Sequence, residues 1–223
     1  MKRTKKYQAA LAKVDKKKKY AAAEAIKLLP EVSFSKFPGS VQVEILLKLN
    51  EKQKKESVRG SYALPNQFGN TTKVLVFAEA AEQKKATGAD VVGGEELIPE
   101  IEKGKVQFDV VVATPGMMPK IARLAKILGP KGLMPNPKNG TITPKLAEAV
   151  KKFKAGMKQF KMKEDGKINA VIGKTDLAAE KLLENYQVFM AAVSNELKKF
   201  GANVIKSIKV SPSMGPSINL TIS

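Results

Sequence analysis

The chain has 223 residues, no Cys and no His, and 40 Lys+Arg against 21 Asp+Glu, for a formal net charge of +19. The two absences exclude disulfides, thiolate and imidazole metal ligands, cysteine nucleophiles and any histidine relay, so neither an enzyme nor a cofactor is expected. Such an excess of one sign repels itself and predicts a polyanionic partner; with only Arg3, Arg59 and Arg123 among the cations, lysine contacts to backbone and shape are favoured over bidentate reading of guanine edges.

In chain order, MKRTKKYQAALAKVDKKKKY has no apolar signal core and no cleavage site, which predicts no secretion signal. No stretch approaches the roughly 18–20 apolar residues of a membrane span, so a soluble intracellular protein with no membrane partner is expected. Residues 1–29 read as helix: Tyr7, Ala10, Leu11 and Val14 share a face, the Lys16–Lys19 run interrupts it, and Pro30 stops it. Val41–Leu49 alternates as a strand with Val41, Val43, Ile45 and Leu47 inward, and residues 50–70 read as turns. Val74–Phe77, Val91–Val92 and Phe108–Ala113 are short apolar runs separated by helices near 79–87 and 95–103. That order predicts a parallel sheet covered on both faces. Met117–Leu128 reads as helix, Gly129–Gly140 as a Gly/Pro-dense loop, and Thr143-Pro144 as the cap and first turn of another helix.

Beyond Gly156, Met157–Lys163 and Ile168–Ile172 read as a hairpin around Asp165-Gly166. Asp176 is expected to cap a helix running to Lys199, with Leu177, Leu182, Leu183, Tyr186, Met190, Val193 and Leu197 as its buried stripe. Val204–Val210 and Ile218–Ile222 are strands bracketing Ser211–Ser217. The N-terminal segment holds one predicted strand and cannot bury its face alone. The expected fold is therefore α/β in two domains. Both termini, 1–67 and 159–223, form a split α+β sandwich, and a Rossmann-like three-layer α/β domain, 68–158, is inserted in it. Residues 68–158 carry 15 Lys+Arg and 9 Asp+Glu, or +6, whereas the outer segments carry 25 and 12, or +13. The split domain is thus the expected nucleic-acid platform.

Gly173-Lys174-Thr175 resembles the end of a phosphate loop, but the first glycine of that motif would fall on Ile168. No Gly-x-Gly-x-x-Gly follows the strand ending at Phe77, so no dinucleotide fingerprint is present. Asp109 and the pair Glu95-Glu96 have no proton-transfer partner in sequence and read as capping groups at the core edge. The Lys16–Lys19 run alone is no more than a solvated helix face. Ser211–Ser217 is more informative: hydroxyls at Ser211 and Ser213 and two prolines make a stiff loop, Gly215 would let its backbone approach a ligand, and Met214 offers an adaptable apolar surface.

Lys36-Phe-Pro-Gly-Ser-Val-Gln-Val43, Val58-Arg-Gly60 followed by Leu64-Pro65, Ile121–Pro135 with its Gly129-Pro-Lys-Gly-Leu-Met-Pro135, and Ser213-Met-Gly-Pro-Ser217 occur in one order and spacing. In these the chain resembles, over essentially its whole length, the bacterial type of the large-subunit ribosomal protein L-one family, the protein of the mobile stalk beside the tRNA exit site. The resemblance implies a first domain made of both termini, a Rossmann-like inserted second domain, and contacts to large-subunit ribosomal RNA on the first. Carried onto matching positions, the RNA-binding residues are Lys36, Phe37, Ser40, Ser207, Ser213, Met214 and Gly215, and Gln42, Ser211 and Pro216 beside them are expected to belong to the same RNA-binding site. Lys36 suits a phosphate, Phe37 a sugar or base face, and the hydroxyls and loop amides the 2′-OH and backbone oxygens of folded RNA. The Gly129–Pro135 loop is expected to have a lesser or structural role. The family commonly has Phe-Asp-Glu-Thr-Val-Glu where this chain has Phe37-Pro-Gly-Ser-Val-Gln42, and often a His where this chain has Asn169. By the same resemblance the protein helps deacylated tRNA leave the exit site, can repress its own mRNA, and is a monomer off the ribosome. The other reading is a free-standing RNA-binding regulator.

Overall fold

A computed structural model describes residues 4–15, 18–49, 58–69, 72–83, 86–102, 106–163, 165–201 and 204–221. In chain order the elements are α1 (Lys5–Ala12), α2 (Ala22–Val32), β1 (Ser40–Leu47), β2 (Arg59–Ala63), β3 (Val74–Phe77), α3 (Ala80–Gln83), β4 (Val91–Gly93), α4 (Leu97–Glu102) and β5 (Val110–Ala113). There follow α5 (Met118–Ile121), α6 (Ala125–Lys131), α7 (Leu146–Lys154), β6 (Met157–Lys161), β7 (Lys167–Lys174), α8 (Ala179–Leu197), β8 (Ile205–Pro212) and β9 (Ile218–Leu220). The chain divides into two compact units: Met1–Gly69 with Gln159–Ser223, and Asn70–Lys158.

In the unit made of both ends, β1 lies antiparallel between β7 and β8, with β9 beyond, in the order β7-β1-β8-β9. The alternation in β1 puts Val41, Val43, Ile45 and Leu47 into the core, as the sequence predicts. Helices α2 and α8 pack on that face. Phe189 of α8 meets Tyr62 and Phe160 edge-on, with ring centroids 5.1 and 6.0 Å away, a geometry worth about 0.5–1.5 kcal/mol per pair beyond the buried area. Asn185, fully buried on α8, accepts from the Asn66 N–H (3.1 Å) and donates to the Asn66 and Ile172 carbonyls (2.9 and 2.8 Å).

The other unit is a parallel sheet in the order β4-β3-β5. Leu75 and Phe77 point into one apolar layer with Ile121, Leu124 and Leu128, and Val74 and Val76 into another with Leu146, Val150 and Phe153. Both faces are thus covered, which is what continuous apolar strands require. Asp109 receives the Lys73 N–H and Asp90 the Val74 N–H, at 2.9 and 2.8 Å, so both aspartates cap the start of β3. Glu95 pairs with Lys120, and Glu96 accepts from the Gly94 N–H at 3.2 Å.

Several local expectations differ from the structure. Pro30 lies inside α2, which continues to Val32; packing of Ile26, Leu29 and Val32 outweighs the one hydrogen bond the ring removes. The segment 1–29 is two helices, and the Lys16–Lys19 run falls partly outside the described residues, as do Arg3, 50–57, 70–71 and Ile222. Residues 59–63, expected as turn, form β2, paired with β6. The Asp165-Gly166 turn forms, with Gly166 at φ 74, but its arms belong to different sheets and, among the described residues, share only the Met162–Ile168 bridge. The 115–131 helix is broken by a 3₁₀ turn and runs on through Pro130 to a left-handed Gly132. Thr143 does not cap α7: its hydroxyl accepts from the Lys145 N–H (3.1 Å), and the helix starts at Leu146. Asp176 does not cap α8, whose N-cap is Ala178, and the buried stripe gains Asn185 and Phe189 while Leu177, Leu183 and Met190 are only partly covered.

Candidate nucleic-acid interface

Because the odd-numbered side chains of β1 fill the core, Ser40, Gln42, Glu44 and Leu46 face the other way. Register fixes their neighbours. Gln42 lies between Val171 and Ser211, Glu44 between Asn169 and Lys209, and Leu46 between Lys167 and Ser207. Asn219 extends the middle row on β9. This face is polar and only partly buried. Gln42 and Ser211 are therefore adjacent, whereas Ser207 stands four residues further along β8, about 13 Å away at the usual strand rise.

At the end of β1 two loops are stitched together. The Ser213 N–H and hydroxyl both donate to the Ser40 carbonyl, at 2.9 and 3.1 Å, and the Phe34 N–H donates to the Met214 carbonyl at 3.2 Å. The Ser35 hydroxyl donates to the Phe37 carbonyl at 2.7 Å. Gly39 is held on both sides by Thr175: its N–H donates to the threonine Oγ1 (3.0 Å), and the Thr175 N–H donates to its carbonyl (2.8 Å). Residues nearly the whole chain apart thus form one corner. Lys36 and Ser213 are exposed on it.

Two large apolar side chains stand out of this corner, Phe37 at 64% exposure and Met214 at 44%; the third such residue among those described is Val188 at 37%, on α8. Folding alone would hide an aromatic ring, so exposed apolar groups on a polar, cationic surface are what a stacking or sugar-contact site needs. Gly215 has a packing task besides the close approach to a ligand that the sequence suggests. A Cβ there would lie 2.7 Å from the Val32 carbonyl oxygen and 2.6 Å from Pro212 Cγ. It is a glycine for packing against the end of α2. Pro216 is buried and stiffens the loop from within.

Residues that the sequence did not assign to this site are Ser35, Glu44, Lys209 and Thr175. Only the outward alternation of β1 could have marked Glu44; nothing local marks the others. In the Asn70–Lys158 unit, the Gly129–Gly140 segment is tied inward. The Asn136 N–H donates to Thr141 Oγ1 (2.7 Å), Thr141 Oγ1 donates to the Asn136 carbonyl (3.0 Å), and the Thr141 carbonyl takes the Ala113 N–H of β5 (2.9 Å). Among the described residues no group of three or more Asp or Glu is placed to hold a metal ion, and no helix is long and apolar enough to cross a membrane.

Residues 11–216 match the model of the Ribosomal protein L1p/L10e family. The chain is similar to the "Large ribosomal subunit protein uL1" of Streptomyces coelicolor, 45% identical over 223 residues, which span 98% of this chain and 92% of that protein. A protein of the same name from Thermobifida fusca is 45% identical over 98% of this chain and 94% of its own length. One from Lactobacillus acidophilus is 44% identical over 97% and 95%.

Proposed function

The chain belongs to the Ribosomal protein L1p/L10e family, and on that premise we propose that it is a constituent of the large ribosomal subunit that binds large-subunit ribosomal RNA directly through the unit made of its two ends. It is a binding protein and not an enzyme, like the relatives it matches, and it works on cytoplasmic ribosomes. The observation that carries the reading is the corner where Phe37 and Met214 stand exposed beside Lys36, in the unit that holds +13 of the +19 charge. Lysines supply the salt-dependent attraction to phosphates, and the ring, the thioether and the hydroxyls of Ser40, Ser211 and Ser213 supply the choice of RNA. Gln42 extends the contact along β1, and Ser207 marks its far end.

Family membership also supports two finer proposals: the protein helps deacylated tRNA leave the exit site, and it represses its own mRNA by binding a mimic of the ribosomal site. Off the ribosome it is a monomer. The test uses protein-free large-subunit RNA from Streptomyces coelicolor. Affinity should exceed that for an unrelated RNA and fall with salt, with a log–log slope of about −0.7 to −0.9 per phosphate neutralised. Phe37→Ala should cost about 1–3 kcal/mol of binding, the range for one base–aromatic stack, with the melt unchanged. Equal affinity for both RNAs, or an unaffected Phe37→Ala, overturns the reading. Migration with large subunits in a lysate gradient, against a free pool, separates a ribosomal protein from a free-standing regulator.

A further inference from the structure

We propose that Thr175 is a positioning residue for RNA recognition: it holds the Phe37 loop in its binding geometry through Gly39, and this is the task of the Gly173-Lys174-Thr175 segment. The inference rests on the reading of the Phe37 corner as the RNA site. The segment has the look of a phosphate loop but lacks its first glycine, and its glycine serves packing, since a Cβ on Gly173 would collide with Leu182. Its threonine reaches across 136 residues of sequence to take the Gly39 N–H at 3.0 Å and to give its own N–H to the Gly39 carbonyl at 2.8 Å.

Three facts make that clamp matter. Gly39 follows Pro38, and the next residue back is the exposed Phe37, so rotation at the glycine would swing the ring. Gly39 has no left-handed φ, and a Cβ there would meet nothing closer than Ser35 Oγ at 3.7 Å. Neither backbone conformation nor crowding therefore demands a glycine, and its own stiffness is minimal. The loop's other hydrogen bonds, Ser35 to the Phe37 carbonyl and Ser213 to the Ser40 carbonyl, and the pairing of Ser40 with Lys174 hold the residues on either side, and none of them takes the Gly39 N–H, which Thr175 accepts. A ring fixed before contact spares the ordering cost that a mobile one meets on binding.

The experiment is a double-mutant cycle on RNA affinity with the full chain and protein-free large-subunit RNA from Streptomyces coelicolor. Thr175→Val removes the Oγ1 acceptor but keeps the backbone N–H bond, and Thr175→Ser keeps both. Thr175→Val should weaken binding about 3- to 10-fold, the range for leaving one side chain to be ordered on binding. The salt slope should stay unchanged, because no phosphate contact is lost. Thr175→Ser should bind like the parent, and in a Phe37→Ala background Thr175→Val should change affinity less than about 1.5-fold, since nothing remains to position. Overturning results are an unaltered affinity for Thr175→Val, or the same loss with and without Phe37, which would make Thr175 a general structural support. If the parent chain binds this RNA no better than an unrelated one, or Phe37→Ala alone costs nothing, the fault lies with the reading of the site and the inference falls with it.

Discussion

The parallel sheet of the Asn70–Lys158 unit buries both faces, Leu75 and Phe77 in one layer and Val74 and Val76 in the other, whereas the sheet of the terminal unit buries only the side lined by Val41, Val43, Ile45 and Leu47. The difference goes beyond architecture. Each large hydrophobic residue exposed among those described, Phe37, Val188 and Met214, lies in the terminal unit. In the parallel sheet the carboxyl ends of the strands, where α/β sheets usually hold ligands, carry no exposed large hydrophobic residue among those described. Glu95 is paired with Lys120, and a Cβ on Gly116 would sit 2.6 Å from Glu79 Oε1. One unit spends its apolar residues inward on both sides, and the other keeps a face and a corner open. Surface for a partner is therefore a property of the half-covered sheet.

The comparison is broken most forcefully through the terminal core. Phe189→Ala removes a fully buried ring that touches Tyr62 and Phe160, and should cost about 3–5 kcal/mol. Hydrogen exchange should show that loss at the β1, β7 and β8 amides and leave the β3 and β5 amides as protected as before. Equal loss in both sheets would mean that the two units unfold as one and that the contrast is only geometric.

Two glycines sharpen it on a smaller scale. Gly215→Val puts a branched side chain against the Val32 carbonyl and Pro212 and should cost about 1–3 kcal/mol by overpacking, visible as a lower melting temperature before any RNA is added. Gly129, by contrast, lies within α6 with nothing within 4 Å of its Cβ direction. Gly129→Ala should change stability by less than about 0.5 kcal/mol, the gain in helix propensity being offset by the crowding of its Cβ with the ring of Pro130, the next residue. The first glycine belongs to the fold of the candidate interface, and the second is expendable for folding.

How much of this was legible depends on how far apart the deciding residues lie. The inward set of β1 and the doubly covered parallel sheet follow from periodicities of two and from unbroken apolar runs, and both stand in the structure. Strand β2, Arg59-Gly-Ser-Tyr-Ala63, has no such signature; it is a strand because β6, nearly a hundred residues on, pairs with it. The 157–172 segment shows the converse. Its turn chemistry is local and readable, but the Met162 N–H donates to the Val58 carbonyl (2.8 Å), and that distant partner draws β6 away from β7. At the candidate site, Phe37 could be named only through family resemblance, since an exposed Phe in a loop looks like a core residue until the core is full, whereas Met214 was legible in the Ser211–Ser217 loop itself. Thr175 carried only the misleading look of a phosphate loop, because its meaning is a hydrogen bond to Gly39.

The smallest effect tests the other unit's own electrostatics. Asp90 is held below its ordinary carboxylate range first by the Val74 N–H and then by Lys154, whose ammonium lies 2.9 Å from Oδ1. A carboxyl whose folded pKa is lowered contributes stability that is complete above its unfolded value, near 3.8, and is lost as pH falls through the lower folded value. Urea unfolding followed at β3 and β5 from about pH 6 to about pH 2 should therefore show an acid limb that Asp90→Asn flattens, while the terminal sheet's limb keeps its slope. Because the pair is partly exposed, high salt should erase the Lys154 share and leave that of the backbone N–H. An acid limb in β3 and β5 that survives the substitution unchanged would move the linkage away from Asp90 and its two partners.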